Sequence, residues 1–520
     1  MQQKRRFMMQ GLLLSGVSLL LRSVGVLSQM IIASRVGAEA LGVSSLIGGV
    51  SGFAVTLAMS GIQLGCTRLC AQGLGRRDSV FVHRSLRCSI THALFFGLLS
   101  ASLLILFAPT IGQHWIRDAR AVIPLRILGV SLPFIALSAC LSGYFVAVRR
   151  VYKSASVQLP EEVIRIALTL LLLDRLSRKG LEGALLALAL SATLADIFSG
   201  IALTILYLLD RKRHFPTMPR DACSVSYAAI ARELLGITLP VAIAAYARSG
   251  LITMQHTFIP IGLERHGHTS STALAAYGQV QSMALPVLLF PCAILGAFAG
   301  LLIPEVTEAH VRGEHGNIRG MAHTVYRWTL LYAIGASGLM IAFSHELGMA
   351  LYDSHEAAVY IRLLAPLVPV MYMDSATDAI LKGLGEQVYS MKVNIIDAAA
   401  SLALVWLLTP MLGIMGYIIA IYATEILNAA MSIVRLLNRT DLRPAIISLV
   451  IKPLVCIVGA TSITRLFYAL CPVALTPITQ TAQLVFLFLM ALFLYAFLLH
   501  VFGALRKQDT RWIVSFFIKT

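Results

Sequence analysis

The sequence predicts an all-α polytopic membrane protein of about fourteen transmembrane helices, in two pseudo-symmetric six-helix lobes followed by two C-terminal helices. Three observations lead there. Hydrophobic residues make up 58% of the 520 residues and charged residues only 13%, whereas a soluble domain carries about a quarter charged residues. Apolar runs long enough to cross a bilayer recur from one end of the chain to the other. The runs are too long and too continuous for the alternating strands of a barrel.

The first run, "LLLSGVSLLLRSVGVLSQMII" (12–32), follows "KRR" at 4–6, which imitates the start of a signal peptide. It is longer than a signal-peptide core and more spans follow, so it reads as an uncleaved first helix. The spans fall near 11–33, 41–64, 89–111, 121–148, 155–174, 182–209, 233–258, 273–308, 323–345, 357–381, 393–409, 414–434, 445–470 and 478–504. The eighth is too long for one crossing and extends past the membrane surface. With the N-terminus inside, most of the 42 Lys and Arg lie in inner segments, which places both termini in the cytoplasm. The basic outer stretch Arg175, Arg178 and Lys179 is the exception. The net charge of +17 therefore suits anionic lipid headgroups and needs no nucleic acid.

The longest inner stretch, 210–232, divides the chain into an N-terminal lobe (1–209), a C-terminal lobe (233–434), and two further spans with a tail (435–520). A faint repeat supports the division. "LLRSVG" (20–25) in span one pairs with "YARSGL" (246–251) in span seven, and a second arginine follows each, Arg35 and Arg265. The next span then ends in "TRLCAQGLGRRD" (67–78) or "PEVTEAHVRGEHGN" (304–317). The repeat is parallel, with its pseudo-twofold axis along the membrane normal. Prolines 286, 291, 304, 366 and 369 concentrate in spans eight and ten, which marks the second half as the moving part.

Catalytic and nucleotide signatures are missing, no loop is long enough for a soluble catalytic domain, and no Cys or His set completes a metal site. The chain reads as a transporter without cofactor, not as an enzyme. Its chemistry lies in charges within spans: Arg22, Arg248, Glu161, Glu162 and Arg165 in "LPEEVIR", Asp196, Asp374, Asp378, Asp397 and Glu425. A mid-membrane arginine costs at least about 2.5 kcal/mol, so such groups pair internally or line a transport route. Glu161 and Arg165 are spaced to meet on one helical face. Arginine's planar fork suits phosphate, so Arg22, Arg165 and Arg248, with Glu161, are the candidate contacts for an anionic substrate. Asp196, Asp374 and Arg35 are candidates for the cavity or for a coupling ion.

Four segments resemble the stage V sporulation protein B group: "SRVGAEALGVSSLIGGVSGFAVTLAMSGIQLGCTRLCAQGLGRRD" (34–78), "LPEEVIRIALTLLL" (159–172), "ILKGLGEQVYSMKVNIIDAAASLAL" (380–404) and "LGIMGYIIA" (412–420). Gln63, Cys66 and Glu386 depart from that group's pattern. The group lies within the multidrug/oligosaccharidyl-lipid/polysaccharide (MOP) exporter superfamily. The resemblance implies two lobes working by alternating access in a bacterial cell membrane. It also implies a relation to the lipid II flippase, with a polyprenyl-pyrophosphate-linked saccharide or peptidoglycan precursor as substrate and a proton or sodium ion as coupling ion. A cation-coupled multidrug exporter and a non-transporting scaffold for cell-wall assembly are the rival expectations. Saccharide, driving force and oligomeric state stay open.

Overall fold

The computed structural model describes residues 24–503 apart from 26–27, 30, 60, 77, 177–179, 215–225, 441–446 and 471–476. Arg22, Arg178 and Lys179 lie outside the described residues. Those described form helices and short turns, with no strand among them. Ten stretches of them are long and apolar enough to cross a membrane: Ala38–Gly75, Val80–Trp115, Ala119–Ala147, Leu181–Asp210, Tyr227–Arg265, His315–Ala342, His355–Gly383, Gln387–Leu412, Ile414–Thr440 and Leu449–Leu470.

Two compact units emerge from the packing. One comprises Val36–Gly278 and Leu402–Gly413. Its helices are α1 (Ala38–Met59), α2 (Ile62–Gly75), α3 (Ser79–Thr110), α4 (Val122–Ala147), α5 (Val151–Leu176), α6 (Leu181–His214), α7 (Tyr227–Arg265) and α8 (Ser270–Gly278). Gly61 turns the chain from α1 into α2 at φ 67, where only glycine is free of steric cost. Asp78 caps α3 by accepting from the Phe81 N–H at 2.8 Å. Helices α3 and α4 approach until Gly97 lies against Pro133. Buried Leu125, Leu132, Tyr144 and Phe145 fill the core around α4. At the far end of α3, Arg120 binds Asp118 at 2.7 to 3.0 Å and Glu39 of α1 at 2.9 Å.

The other unit comprises Gln279–Ser401 and Ile414–Thr520 with residues 1–35. Its helices are α9 (Leu285–Leu289), α10 (Cys292–Val311), α11 (His315–Ala342), α12 (Ser344–Tyr352), α13 (His355–Leu364), α14 (Val368–Gly383), α15 (Gln387–Leu412), α16 (Ile414–Thr440), α17 (Lys452–Leu470) and α18 (Pro477–Val501). The last turns of α15 group with the first unit. Helices α17 and α18 pack on α11 through Leu331, Ile334, Ile457, Leu487 and Tyr495, and the Tyr495 hydroxyl donates to the Leu331 carbonyl at 2.8 Å.

Three elements differ from the sequence reading. Helix α5 starts at Val151, four residues before the expected span 155–174, and Pro160 sits inside it. Ser154 shares a hydrogen bond with Ser142 of α4 at 2.8 Å, which fixes the earlier start. The expected long eighth span is broken into α8, a π-turn at Gln279–Ala284, α9 and α10, because Pro286 and Pro291 offer no N–H to a continuous ladder. Finally, compactness groups α7 and α8 with α1–α6, whereas the expected lobe boundary at 210–232 follows the repeat.

Two pairs of helix ends share one hydrogen-bond pattern. After α4, the N–H groups of Val148, Arg149 and Arg150 donate to the carbonyls of Tyr144, Val146 and Phe145. After α14, those of Leu384, Gly385 and Glu386 donate to Ile380, Lys382 and Leu381, each partner displaced by 236 residues (384 against 148). The ends of α2 and α10 match with the same displacement: Arg76 to Gln72 and Asp78 to Gly73, then Arg312 to Glu308 and Glu314 to Ala309.

Candidate functional site

Helix α5, expected as the fifth span but not among the ten stretches apolar enough to cross a membrane, carries the most concentrated charge of the expected site residues. Arg165 Nη2 donates to Glu161 Oε1 one turn earlier at 2.8 Å, the i,i+4 pairing that the spacing implies. The same nitrogen reaches Asp196 Oδ1 of α6 at 3.3 Å, and Glu162 lies 3.8 Å from Nε. Thr169 fixes the next turn by donating to the Arg165 carbonyl and meeting Ser191 of α6, both at 2.7 Å. One guanidinium thus stands among three carboxylates. Its side chain is 37% exposed while that of Asp196 is 16% exposed, so the open side of the cluster belongs to the arginine.

Of the other expected residues, Arg248 is exposed on α7 and no carboxylate among the described residues lies within ion-pair distance of it. Its neighbours hold α7 to α1: Ser249 lies 3.3 Å from the Thr56 hydroxyl, and Thr253 donates to the Gly49 carbonyl at 3.0 Å. Arg35 is exposed as well. Asp374 of α14 accepts from Asn428 of α16 at 3.0 Å. The structure therefore brings together Glu161, Arg165 and Asp196, and places Asp374 in a separate polar contact in the other unit. Among the described residues no group of His, Cys, Asp or Glu is arranged to hold a metal ion.

Besides Arg120 with Asp118 and Glu39, two further ionic clusters escaped the sequence reading. Asp210, at the end of α6 and 1% exposed, receives Arg150 and Lys153 together, and the Tyr144 hydroxyl donates to its other oxygen at 3.1 Å. It was hidden in "DRKRH", where basic neighbours suggested only an inner loop. In the other unit, Glu386 accepts from Arg435 at 2.8 Å and Arg439 at 2.5 Å, and Arg435 stacks on Tyr389 at 4.9 Å. Glu386 lies between two span-length helices, and Arg435, then Arg439, hold its carboxyl below the usual range. The two turns that share a hydrogen-bond pattern thus carry Arg150 and Glu386, clasps of opposite charge.

Comparison with known proteins agrees with this architecture. A family model described as MatE matches residues 15–171. Stage V sporulation protein B of Bacillus subtilis (strain 168) is 24% identical over 430 residues, which cover 82% of this chain and 82% of that protein. A structure of the lipid II flippase MurJ in an inward closed conformation superposes with a TM-score of 0.68 at 13% identity, covering 94% of this chain and 98% of that one. An inward-facing multidrug resistance MATE family transporter of the MOP superfamily gives 0.59 at 15% identity, covering 82% and 98%. The chain is thus similar to stage V sporulation protein B, matches the MatE model over residues 15–171, and shares its helical fold with the MurJ and MATE transporter structures.

Proposed function

We propose that this protein flips a polyprenyl-pyrophosphate-linked saccharide or peptidoglycan precursor across a bacterial cell membrane by alternating access of the lobes 1–209 and 233–434, with both termini in the cytoplasm. The observation that carries the reading is the extent of the structural likeness: 94% of the chain against the lipid II flippase, and 82% against the multidrug transporter. The difference is of the size of the C-terminal pair α17 and α18. The physical task fits the residues, because a charged headgroup must cross hydrocarbon while its lipid tail stays outside. Arg248, exposed and without a carboxylate partner among the described residues, offers a bidentate fork for the pyrophosphate. Arg22 supplies the repeat-related second fork. Arg165, held by Glu161 and Asp196, sets the local field, and Asp374 with Asn428 is the candidate for the coupling proton or sodium ion.

The test is reconstitution in liposomes with a labelled polyprenyl-pyrophosphate saccharide and measurement of its transbilayer movement. Arg22→Ala and Arg248→Ala each slow movement about tenfold or more, since a charge-assisted hydrogen bond contributes about 1.5–3 kcal/mol and a tenfold change corresponds to about 1.4 kcal/mol. Wild-type protein without flipping activity, or variants as fast as wild type, would sink the reading. The carboxylate-rich surroundings of Arg165 favour one second reading, a cation-coupled drug exporter. In that case Asp196→Asn and Asp374→Asn abolish export of a cationic dye while the arginine variants retain it.

A further inference from the structure

We propose that the helical stretch 270–291 bends at one place, between Gly278 and Gln281, because the chain is pinned on both sides of it. The inference rests on the alternating-access reading, and it concerns residues that no substrate argument selects.

Upstream, α8 lies backbone against backbone on α1. A Cβ at Gly278 would come within 2.2 Å of the Ala38 carbonyl oxygen, and one at Gly42 within 2.0 Å of that of Leu274. Tyr277, fully buried, shares a 2.9 Å hydrogen bond with His256 Nδ1 of α7. Nothing in this stretch can slide without separating two helices that touch through their main chains.

Downstream, the π-turn and two prolines interrupt the ladder, and unpaired carbonyls are costly in a span. Four tyrosines from four helices meet that need. Tyr352 of α12 donates to the Met283 carbonyl at 3.1 Å, Tyr372 of α14 to Leu288 at 2.7 Å, and Tyr332 of α11 to Pro291 at 3.0 Å. Tyr417 of α16 donates to the Gln281 side-chain oxygen at 3.0 Å. Tyr352, Tyr372 and Tyr417 are at most 5% exposed, so water does not compete for these acceptors. A segment that looks irregular is therefore held stiffly. The close contacts on the α8 side end at Gly278 and the tyrosine bonds begin at Gln281, which leaves the joint between them.

Hydrogen–deuterium exchange on the full-length protein in nanodiscs tests this without any substrate. Amides 279–283 should exchange faster than those of 272–277 and 285–290. Tyr352→Phe and Tyr372→Phe should raise exchange at 285–290 about tenfold, the scale set by an orphaned buried acceptor, and leave 272–277 unchanged. Tyr332→Phe is the milder variant should either destabilise the whole chain. Tyr389→Phe, whose hydroxyl serves the Met431 carbonyl, should change neither segment. Uniform protection across 272–290 in wild type overturns the proposal, as does unaltered exchange at 285–290 in all three tyrosine variants. Failure of the flipping assay would leave this exchange pattern intact, so the two ideas fail separately.

Discussion

Asp210 shows how much can depend on one carboxylate. It is buried, and it neutralises two cations while accepting from Tyr144. Asp210→Asn should destabilise the protein by about 1–3 kcal/mol, because the partly buried Arg150 and Lys153 lose the carboxylate they share. Tyr144→Phe should cost only about 1 kcal/mol. Thermal unfolding in detergent measures both. Glu386 makes the pH-dependent counterpart. Its folded carboxyl is lowered by Arg435 and Arg439, so its contribution is present above the ordinary glutamate pKa of about 4.3 and is lost as pH falls through the lowered folded value. Glu386→Gln should lower stability at neutral pH and flatten the acid limb of the stability profile. An unchanged acid limb would show that the clasp contributes nothing.

Helix packing separates glycines that the sequence presents alike. In α1, Gly42 meets the Leu274 carbonyl, while a Cβ at Gly48 would meet nothing within 4 Å. Gly42→Ala should therefore cost about 1–3 kcal/mol by forcing α1 and α8 apart. Gly48→Ala should be neutral or stabilise by up to about 1 kcal/mol through helix propensity. Comparing the two melting temperatures decides the matter. The sequence revealed most spans, because bilayer length and hydrophobicity leave few alternatives to a helix. It did not reveal where a long apolar run breaks. The tyrosines that make the break at 279–291 tolerable lie 41 to 136 residues away in the chain, and no local pattern announces them.

At the scale of the whole molecule the all-helical class is legible in the sequence, and the turns after α4 and α14 share one hydrogen-bond pattern. The candidate site was legible in part. The Glu161–Arg165 pairing followed from helical spacing, whereas the approach of Asp196 depends on how α5 and α6 pack, which spacing alone does not fix. The proposed orientation predicts that His355→Cys, exposed at the start of α13, reacts with an impermeant thiol reagent added outside intact cells, and that Val388→Cys, exposed early in α15, reacts only after permeabilisation. Labelling of both from one side would reverse or refute the topology. The exchanged charges of the two clasps also bear on how such a chain is assembled. A duplicated polypeptide risks closing one half with the hairpin that belongs to the other as it leaves the translocon. Here that error would set Arg150 against Arg435 and Arg439, and Glu386 against Asp210, like against like. The opposed charges thereby disfavour that exchange.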